Sequence, residues 1–278
     1  YVATTLSFSE ASRQLFISQS AVSQGIKTLE KKLGRELFFR STKKVSLTPE
    51  GEILFQHVKP ALEMLSQGEA QLLEEDRLQG QLRIGASDTI CRYYLVPYLN
   101  KFHKQFPHVH IKVTNQTSIA CASLLEHGQV DFIVVNYPNS ALSSTHIPRV
   151  INEFHDVFVA NRQYFPLDGR ESSLASLQKY PILMLDRKST TSEFLHAMFQ
   201  RSHLDLVPEI ELSSNDLLID LARIGLGIAF VPDFCIPTDD KDLFVVKLKE
   251  ELPKRQMVVA YNERMPLSQT AKQFMSML

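Results

Sequence analysis

Cysteine is scarce in this 278-residue chain, and long apolar runs are absent from it. The three cysteines are odd in number and widely spaced, which is more typical of free thiols than of a disulfide framework. No apolar run approaches the roughly 20 residues of a membrane-spanning helix, and no signal-peptide pattern opens the chain. With 44% hydrophobic and 22% charged residues, the composition is that of a folded protein with two or more cores. We therefore expect a cytoplasmic protein without a membrane segment.

Sequence motifs of common catalytic sites are also missing. The patterns HExxH, GxSxG and GxxxxGK[ST] do not occur, and the glycines at 225 and 227 lack a third partner because position 230 is Phe230. The nine histidines are scattered, and His108 and His110 are more typical of a strand edge than of metal ligands. We therefore expect no enzymatic activity, no metal and no other cofactor.

The nearly neutral net charge of -1 conceals a segregated distribution. Residues 1–48 carry eight Lys or Arg against three Asp or Glu, whereas residues 49–78 carry two against seven. The remaining 200 residues are nearly balanced, with 20 basic and 21 acidic side chains. This pattern indicates that only the N-terminal segment meets a polyanion.

The N-terminal segment predicts a helix-turn-helix. A short helix to Phe16 is followed by Ser18 as an N-cap and by a second helix that stops at Gly34. On that second helix, Val22, Ile26, Leu29 and Leu33 share one side, which we expect to seat the helix in its domain. The polar side carries five side chains that can contact bases or phosphates: Gln19, Ser20, Ser23, Gln24 and Lys27.

A small hairpin, or wing, is predicted to follow. Apolar and β-branched residues flank a polar tip at 41–44. Arg40, Lys43 and Lys44 are predicted to contact backbone phosphates, which position a protein on DNA without specifying the sequence. On pattern alone, a solvated polar face on a small helical bundle remains an alternative to DNA binding.

A long helix is predicted from Thr48, its N-cap, to about Leu78. Pro49 suits the first helical position, and Glu50 and Glu52 suit the first turn. Apolar and small residues then recur along this helix in a heptad pattern, which forms a seam that needs a partner. The simplest partner is the same helix of a second subunit, and packing of the seam on its own domain is the alternative. The seam residues are Leu54, Val58, Ala61, Leu65, Gly68 and Leu72.

The rest of the chain contains an internal repeat. Residues 82–113 and 181–212 each predict strand, Ser/Thr turn, helix and strand, and residues 118–135 and 215–232 each predict helix, glycine turn and buried strand. Two such halves, about 98 residues apart, predict two similar α/β lobes with parallel sheets. The fold class is therefore α/β, with two lobes behind the helical N-terminus.

Small hydroxyl residues follow four of the predicted strands. Because parallel strands end at one edge of a sheet and helices start there, these residues are expected to line a cleft for a small, anionic molecule. Simple helix capping is the alternative for each one. The residues are Ser87 and Thr89; Thr117 and Ser118; Ser189, Thr190 and Thr191; and Ser213 and Ser214.

A stretch of 45 residues near the N-terminus resembles the winged helix-turn-helix of LysR-type transcriptional regulators. The stretch from Ser7 to Gly51 reads SFSEASRQLFISQSAVSQGIKTLEKKLGRELFFRSTKKVSLTPEG. It carries the family pattern S-Q-[SP]-A-[VL]-S, then I-x-x-L-E-x-x-L-G-x-x-L-F-x-R, then L-T-x-x-G, in register. Ser12 replaces a usual alanine, and Gly25 stands where a longer side chain is common. The similarity extends to the GLGIAFVP stretch at 225–232.

The resemblance implies a domain plan. It comprises a winged helix-turn-helix domain at 1–48 with a truncated first helix, a dimerising linker helix at 49–79, and an effector domain at 80–278 that is similar to periplasmic binding proteins. Lobe I would contain 80–161 and 248–278, and lobe II would contain 162–247. The implied partners are double-stranded promoter DNA, a small-molecule effector, and other copies of the chain in a dimer and a tetramer.

The resemblance also implies where the effector binds. Carried over to this chain, the effector-binding residues are Ser87, Thr89, Thr117, Ser118 and Thr190, and Lys188 is either a source of charge or a solvated lysine. Redox sensing by Cys91 and Cys121 is a weaker possibility, because small buried thiols are the commoner meaning of such residues. A solute-binding protein or α/β enzyme with an incidental helical N-terminus is the competing interpretation of the whole chain.

Overall fold

The computed structural model describes residues 1–40, 45–73 and 80–278. The chain divides into two compact units, 1–69 and 70–278, and each is described by itself. The first unit contains helices and a two-stranded hairpin: α1 (Val2–Thr5), α2 (Phe8–Leu15), α3 (Gln19–Leu33), β1 (Phe38–Arg40), β2 (Val45–Leu47) and most of α4 (Pro49–Leu73). The wing tip, residues 41–44, lies outside the described residues, and so does the predicted continuation of α4 to Leu78.

Local capping interactions set the bounds of the helix-turn-helix. The Ser18 Oγ accepts a hydrogen bond of 3.2 Å from the Ala21 N–H, which confirms the predicted N-cap of α3. At the other end, Gly34 adopts the left-handed conformation at φ 66°. A small core then holds these elements together, and its buried members are Val2, Ala11, Val22, Leu37 and Phe38.

Helix α4 begins at the predicted cap. The Thr48 Oγ1 accepts from the Gly51 N–H at 3.0 Å and donates to the Glu36 carbonyl at 2.7 Å. Gly51 is required there because a Cβ atom would lie 2.0 Å from the Leu37 carbonyl oxygen.

The apolar seam of α4 packs against the core at its start and is exposed farther along the helix. Leu54 packs against the small core, whereas Val58 and Leu65 are 41% and 65% exposed, like their neighbours Ile53 and Leu62. Within the first unit, only the start of the seam therefore has a partner among the described residues.

The second unit opens with the elements of its first lobe. They are β3 (Gln81–Ala86), α5 (Asp88–Ile90), a π-helical turn (Cys91–Leu95), α6 (Val96–Gln105), β4 (His110–Asn115), α7 (Ser118–Glu126), β5 (Phe132–Tyr137) and β6 (His146–Phe154). The elements of the second lobe follow: β7 (Asp156–Asn161), β8 (Glu171–Ser172), α8 (Leu174–Leu177), β9 (Ile182–Leu185), α9 (Thr190–Arg201), β10 (Ile210–Leu212), α10 (Asn215–Arg223), β11 (Ile228–Pro232), β12 (Leu243–Val245) and β13 (Lys247–Leu248). The chain ends with β14 (Arg255–Asn262) and α11 (Gln269–Met275).

Two five-stranded sheets confirm the predicted repeat. Their strand orders are β4-β3-β5-β14-β6 in lobe I and β10-β9-β11-β7-β12 in lobe II. In each sheet the first three strands are parallel, as expected, but β14 and β7 run antiparallel to their neighbours. The prediction of parallel sheets was therefore wrong for β14 and β7. Both reversed strands are the ones that enter a sheet from the other lobe.

The predicted lobe boundaries also need correction. The chain leaves the sheet of lobe I at His155, and β7 already belongs to lobe II, where Phe158 and Val159 are fully buried in the core. It returns between Leu248 and Arg255, since β13 still pairs with β8 and β14 pairs with β5 and β6. The predicted boundaries at 161/162 and 247/248 missed these points because the apolar runs of neighbouring strands look alike in sequence.

Candidate functional site

The polar side of α3 is accessible to a partner. Four of the five predicted contact residues are exposed, and Ser23 is partly exposed. The first turn is ordered by short-range hydrogen bonds, because Ser9 Oγ donates to Gln19 Oε1 at 3.0 Å and the hydroxyls of Ser18 and Ser20 lie 2.9 Å apart. Arg40 ends β1, while Lys43 and Lys44 fall outside the described residues.

Only two of the four residues on the apolar side of α3 pack against the core of the first unit. Val22 is buried and Ile26 packs against the same core. Leu29 and Leu33 are 38% and 46% exposed, although the helical period places them on the buried side. The expectation that all four seat the helix was therefore wrong for the last two turns, because none of the described elements of this small unit covers them.

A cavity of about 300 Å³ lies between the two lobes, at the carboxyl ends of the parallel strands. All five predicted effector-binding residues line it: Ser87, Thr89, Thr117, Ser118 and Thr190. The other four hydroxyl residues expected at the cleft, Ser189, Thr191, Ser213 and Ser214, line it as well. The structure adds seven further lining residues, which are Asp88, Asn115, Gln116, Asn136, Leu185, Asp186 and Asn215. Lys188 is exposed and is not among the residues that line this cavity.

Helix N-termini converge on this cavity. Thr117 caps α7 by accepting from the Ala120 N–H at 3.2 Å, Ser189 caps α9 from the Ser192 N–H at 3.1 Å, and Ser214 caps α10 from the Leu217 N–H at 3.3 Å. These hydroxyls therefore cap helices and line the cavity at the same time. Each cap leaves other first-turn N–H groups without an intrahelical acceptor, so this end of the lobes favours negative charge.

Two of the predicted effector-binding residues form hydrogen bonds with other residues of the protein. The buried Ser118 accepts from the Asn136 backbone N–H at 3.1 Å through its Oγ, and its carbonyl accepts from Asn139 Nδ2 at 2.7 Å. Thr89 Oγ1 accepts from Asn215 Nδ2 at 3.0 Å, which is a hydrogen bond between the lobes at the wall of the cavity. A ligand that enters here must fit beside this bond or replace it.

A buried ion pair lies behind Thr190. Arg255, only 1% exposed, contacts the fully buried Asp156 at 2.6 Å. Its guanidinium also donates to Thr190 Oγ1 and Thr191 Oγ1, each at 2.9 Å. Because both hydroxyl oxygens accept from the guanidinium, each O–H remains available as a donor. Arg255 starts β14 of lobe I, so this network joins the return strand to the first turn of α9.

A second polar contact between the lobes involves the π-helical turn. There the Val96 N–H bonds to the Cys91 carbonyl, five residues back. Pro97 favours this wider turn because it has no N–H to offer to the Tyr93 carbonyl. Tyr93 in this turn donates to Asp216 Oδ1 at 2.6 Å, and burial together with this bond raises the pKa of Tyr93 to about 12.

Burial disfavours the thiolate forms of Cys91 and Cys121. Burial raises the pKa of Cys91 to about 11, with a smaller effect of Asp88, and burial raises the pKa of Cys121 to about 12. Since the thiolate is the reactive form, both thiols are poor nucleophiles at neutral pH. Among the described residues there is no group of three or more His, Cys, Asp or Glu placed to hold a metal ion, and no helix long and apolar enough to cross a membrane.

Asn136 and Asn215 are the cavity residues that sequence reasoning missed most clearly. Asn136 sits at the end of the apolar strand β5, and Asn215 directly follows two serines at the start of α10. A polar amide that ends an otherwise apolar strand at the ligand-binding edge is a usable sequence signal for Asn136. Asn215 carried no comparable signal.

These features define a class of protein: a regulator with a winged helix-turn-helix and a two-lobed, ligand-binding α/β domain. Comparison with protein families agrees with both parts. Residues 1–52 match the bacterial regulatory helix-turn-helix proteins of the lysR family, and residues 75–278 match the LysR substrate binding domain. The chain therefore belongs to the LysR family of transcriptional regulators. The alternative of an incidental helical N-terminus is excluded, because that segment matches the family's own DNA-binding domain.

CrgA, OxyR and CbnR each share less than 30% of their residues with this chain. The chain is 28% identical over 238 residues to the HTH-type transcriptional regulator CrgA of Neisseria meningitidis, which covers 84% of this chain and 77% of CrgA. A full-length OxyR variant from Pseudomonas aeruginosa has a similar fold, with a TM-score of 0.77 at 19% identity over 99% of this chain and 90% of that one. CbnR in complex with its target DNA is also similar, with a TM-score of 0.68 at 16% identity over 99% and 94%.

Proposed function

We propose that the exposed polar side of α3 reads base edges in the major groove of promoter DNA. Gln19 and Gln24 carry amides suited to adenine, Ser20 and Ser23 suit several bases, and Lys27 suits guanine or a phosphate. The observation that carries this proposal is the exposure of this side of α3, in a segment whose residues 1–52 match a family of regulatory helix-turn-helix proteins. Arg40, Lys43 and Lys44 on the wing would hold the phosphates.

The same proposal includes pairing of two chains through α4. The exposed seam residues Val58 and Leu65 have no partner among the described residues of the first unit, as expected for a surface that a second α4 covers. A dimer would present two copies of α3 to the half-sites of a pseudo-palindrome. Contacts between effector domains would then assemble a tetramer.

The domain plan follows from these roles. We propose a DNA-binding domain at 1–48, a linker helix from 49 to about 79, and an effector domain from about 80, which acts in the cytoplasm where promoter DNA lies. The protein acts by binding and not by catalysis, and it needs no cofactor beyond its effector.

The cavity between the lobes is the proposed effector site, with Ser87, Thr89, Thr117, Ser118 and Thr190 as contact residues. The lobes are joined next to it by the Thr89–Asn215 hydrogen bond, so a ligand that rearranges this contact favours one lobe arrangement over another. Such a ligand alters DNA binding only if its affinity differs between the two arrangements.

The test uses the full chain and DNA from upstream of its own gene. We expect binding measured by fluorescence anisotropy to be sequence-selective and to weaken steeply with salt, as phosphate contacts require. A thermal-shift screen of small metabolites should then find a ligand that stabilises the parent but not Thr117→Val. Equal affinity for unrelated DNA would refute the regulator proposal, and an unchanged shift in Thr117→Val would remove this residue from the site.

A further inference from the structure

The charges around the cavity have an unexpected sign for a site that accepts an anion. Among its described lining residues, only Asp88 and Asp186 are charged, and none is Lys, Arg or His. The guanidinium of Arg255 lies behind the wall, where its terminal nitrogens already bond to Asp156, Thr190 and Thr191. None of these lining side chains therefore offers a positive charge to a bound anion.

Backbone groups supply the attraction for negative charge instead. Helices α7, α9 and α10, of nine, twelve and nine residues, all start at the cavity wall. Their first-turn N–H groups and positive dipole ends favour a carboxylate or a similar small anion.

Two buried amides point to a second requirement. Asn136 and Asn215 line the cavity and are only 8% and 5% exposed. The side-chain carbonyl oxygen of each has no hydrogen-bond partner among the described residues, although Asn215 Nδ2 is bonded to Thr89. A buried acceptor without a partner is costly, so these oxygens would accept from a ligand's N–H or O–H group. Each oxygen exposes less than 1 Å² of surface, so neighbouring side chains must shift to admit that group.

We infer that the effector is a small zwitterion of the amino acid class. Its carboxylate would bind at the helix N-termini, and its ammonium group would face Asp186 and the amide oxygens of Asn136 and Asn215. The cavity volume of about 300 Å³ lies at the lower end of the range of small-molecule sites, which suits a ligand of amino acid size. This inference rests on the proposed effector site and adds the chemical class of its ligand.

The experiment compares amino acids with analogues that lack one charged group. Titration calorimetry on the full chain would use each L-amino acid, the matching acid without the amino group, and the matching amine without the carboxylate. We expect at least one short amino acid to bind at least tenfold more tightly than both of its analogues.

Two variants locate the ammonium group. Asp186→Asn retains the Oδ1 that accepts from the Lys188 N–H at 3.0 Å, but it removes the charge. It should weaken the amino acid at least tenfold and leave the deaminated acid unchanged, whereas Asp239→Asn, an exposed carboxylate outside the cavity lining, should change neither.

The outcomes separate the two levels of the proposal. If a deaminated acid binds as tightly as its amino acid and Thr117→Val abolishes both, the cavity is the effector site but the zwitterion inference is wrong. If no amino acid binds, the inference is also wrong, and the regulator function is then judged by the DNA-binding assay alone.

Discussion

The hydroxyl group of Tyr93 in lobe I donates a 2.6 Å hydrogen bond to Asp216 Oδ1 in lobe II. Together with the Thr89–Asn215 bond, it ties the π-helical turn of one lobe to the start of α10 in the other. These two polar contacts therefore link the lobes beside the cavity, in addition to the Arg255 network.

Replacement of Tyr93 by Phe should lower the unfolding free energy of the second unit by about 1.5 kcal/mol, the loss typical of a hydrogen bond to a charged group. Urea unfolding measures this change. Tyr94→Phe is the matched control, because its hydroxyl contacts the Ile151 carbonyl at 3.3 Å within the same lobe. A double-mutant cycle of Tyr93→Phe with Asp216→Ala that shows no coupling would refute a stabilising role for the bond.

Arg255→Met should destabilise the second unit by about 3–5 kcal/mol, because it leaves a buried carboxylate without its counter-ion. Burial raises the pKa of Asp156, and Arg255 opposes this effect, so its removal raises that pKa further. The folded variant then holds a proton that the unfolded chain releases, and its stability relative to the parent falls as the pH rises above the ordinary aspartate pKa of about 4.

The control for this prediction is the double variant Arg255→Met with Asp156→Leu. Replacement of both charges by apolar groups should recover most of the lost stability. Thermal unfolding at several pH values would contradict the prediction if the single variant were as stable as the parent above neutral pH.

Gln19→Ala combined with Ser23→Ala should reduce the preference for the specific DNA site over unrelated DNA. Each good bidentate base contact contributes about 1–3 kcal/mol of discrimination. Competition gel shifts measure the ratio of the two affinities. Gln56→Ala, an exposed glutamine on α4, serves as the control and should leave the ratio unchanged. Equal loss of affinity for both DNAs would assign these residues to phosphate contacts.

Hydrogen peroxide at neutral pH should not alter DNA binding by this chain. With a pKa raised to about 11, fewer than about one Cys91 thiol in a thousand is ionised at pH 7, and Cys121 is even less reactive. Mass spectrometry after brief iodoacetamide treatment should show far slower labelling than in urea. Rapid formation of a Cys91–Cys121 disulfide in the folded protein would refute this prediction.

Phe16→Asn should stabilise the first unit by about 0.5–1 kcal/mol. Phe16 follows α2 with φ 54°, a left-handed conformation that asparagine tolerates better, and it is 95% exposed, so little packing is lost. Thermal unfolding tests this, with Phe39→Asn as the control at an exposed strand position. A loss of stability in Phe16→Asn would contradict this prediction.

Much of the fold could be predicted because the relevant signals are local. Ser18 and Thr48 cap α3 and α4 where the sequence places them, since a cap depends on one side chain and a turn of backbone. The internal repeat likewise indicated the two lobes and the edge of each sheet at which the hydroxyl residues gather. Local patterns failed where strands change sheets, because β7 and β14 are apolar strands like their neighbours.

The sequence by itself determined the order of the helix-turn-helix, linker helix and α/β repeats, because capping residues and apolar periodicity act over a few residues. Only the tertiary structure decided that Asn136 and Asn215 line one cavity with Thr117, that the terminal nitrogens of Arg255 bond to Asp156 and two threonines, and that the charged side chains lining the cavity are acidic. Each of these relations joins residues far apart in the chain, and it exists only after the two sheets have exchanged their strands.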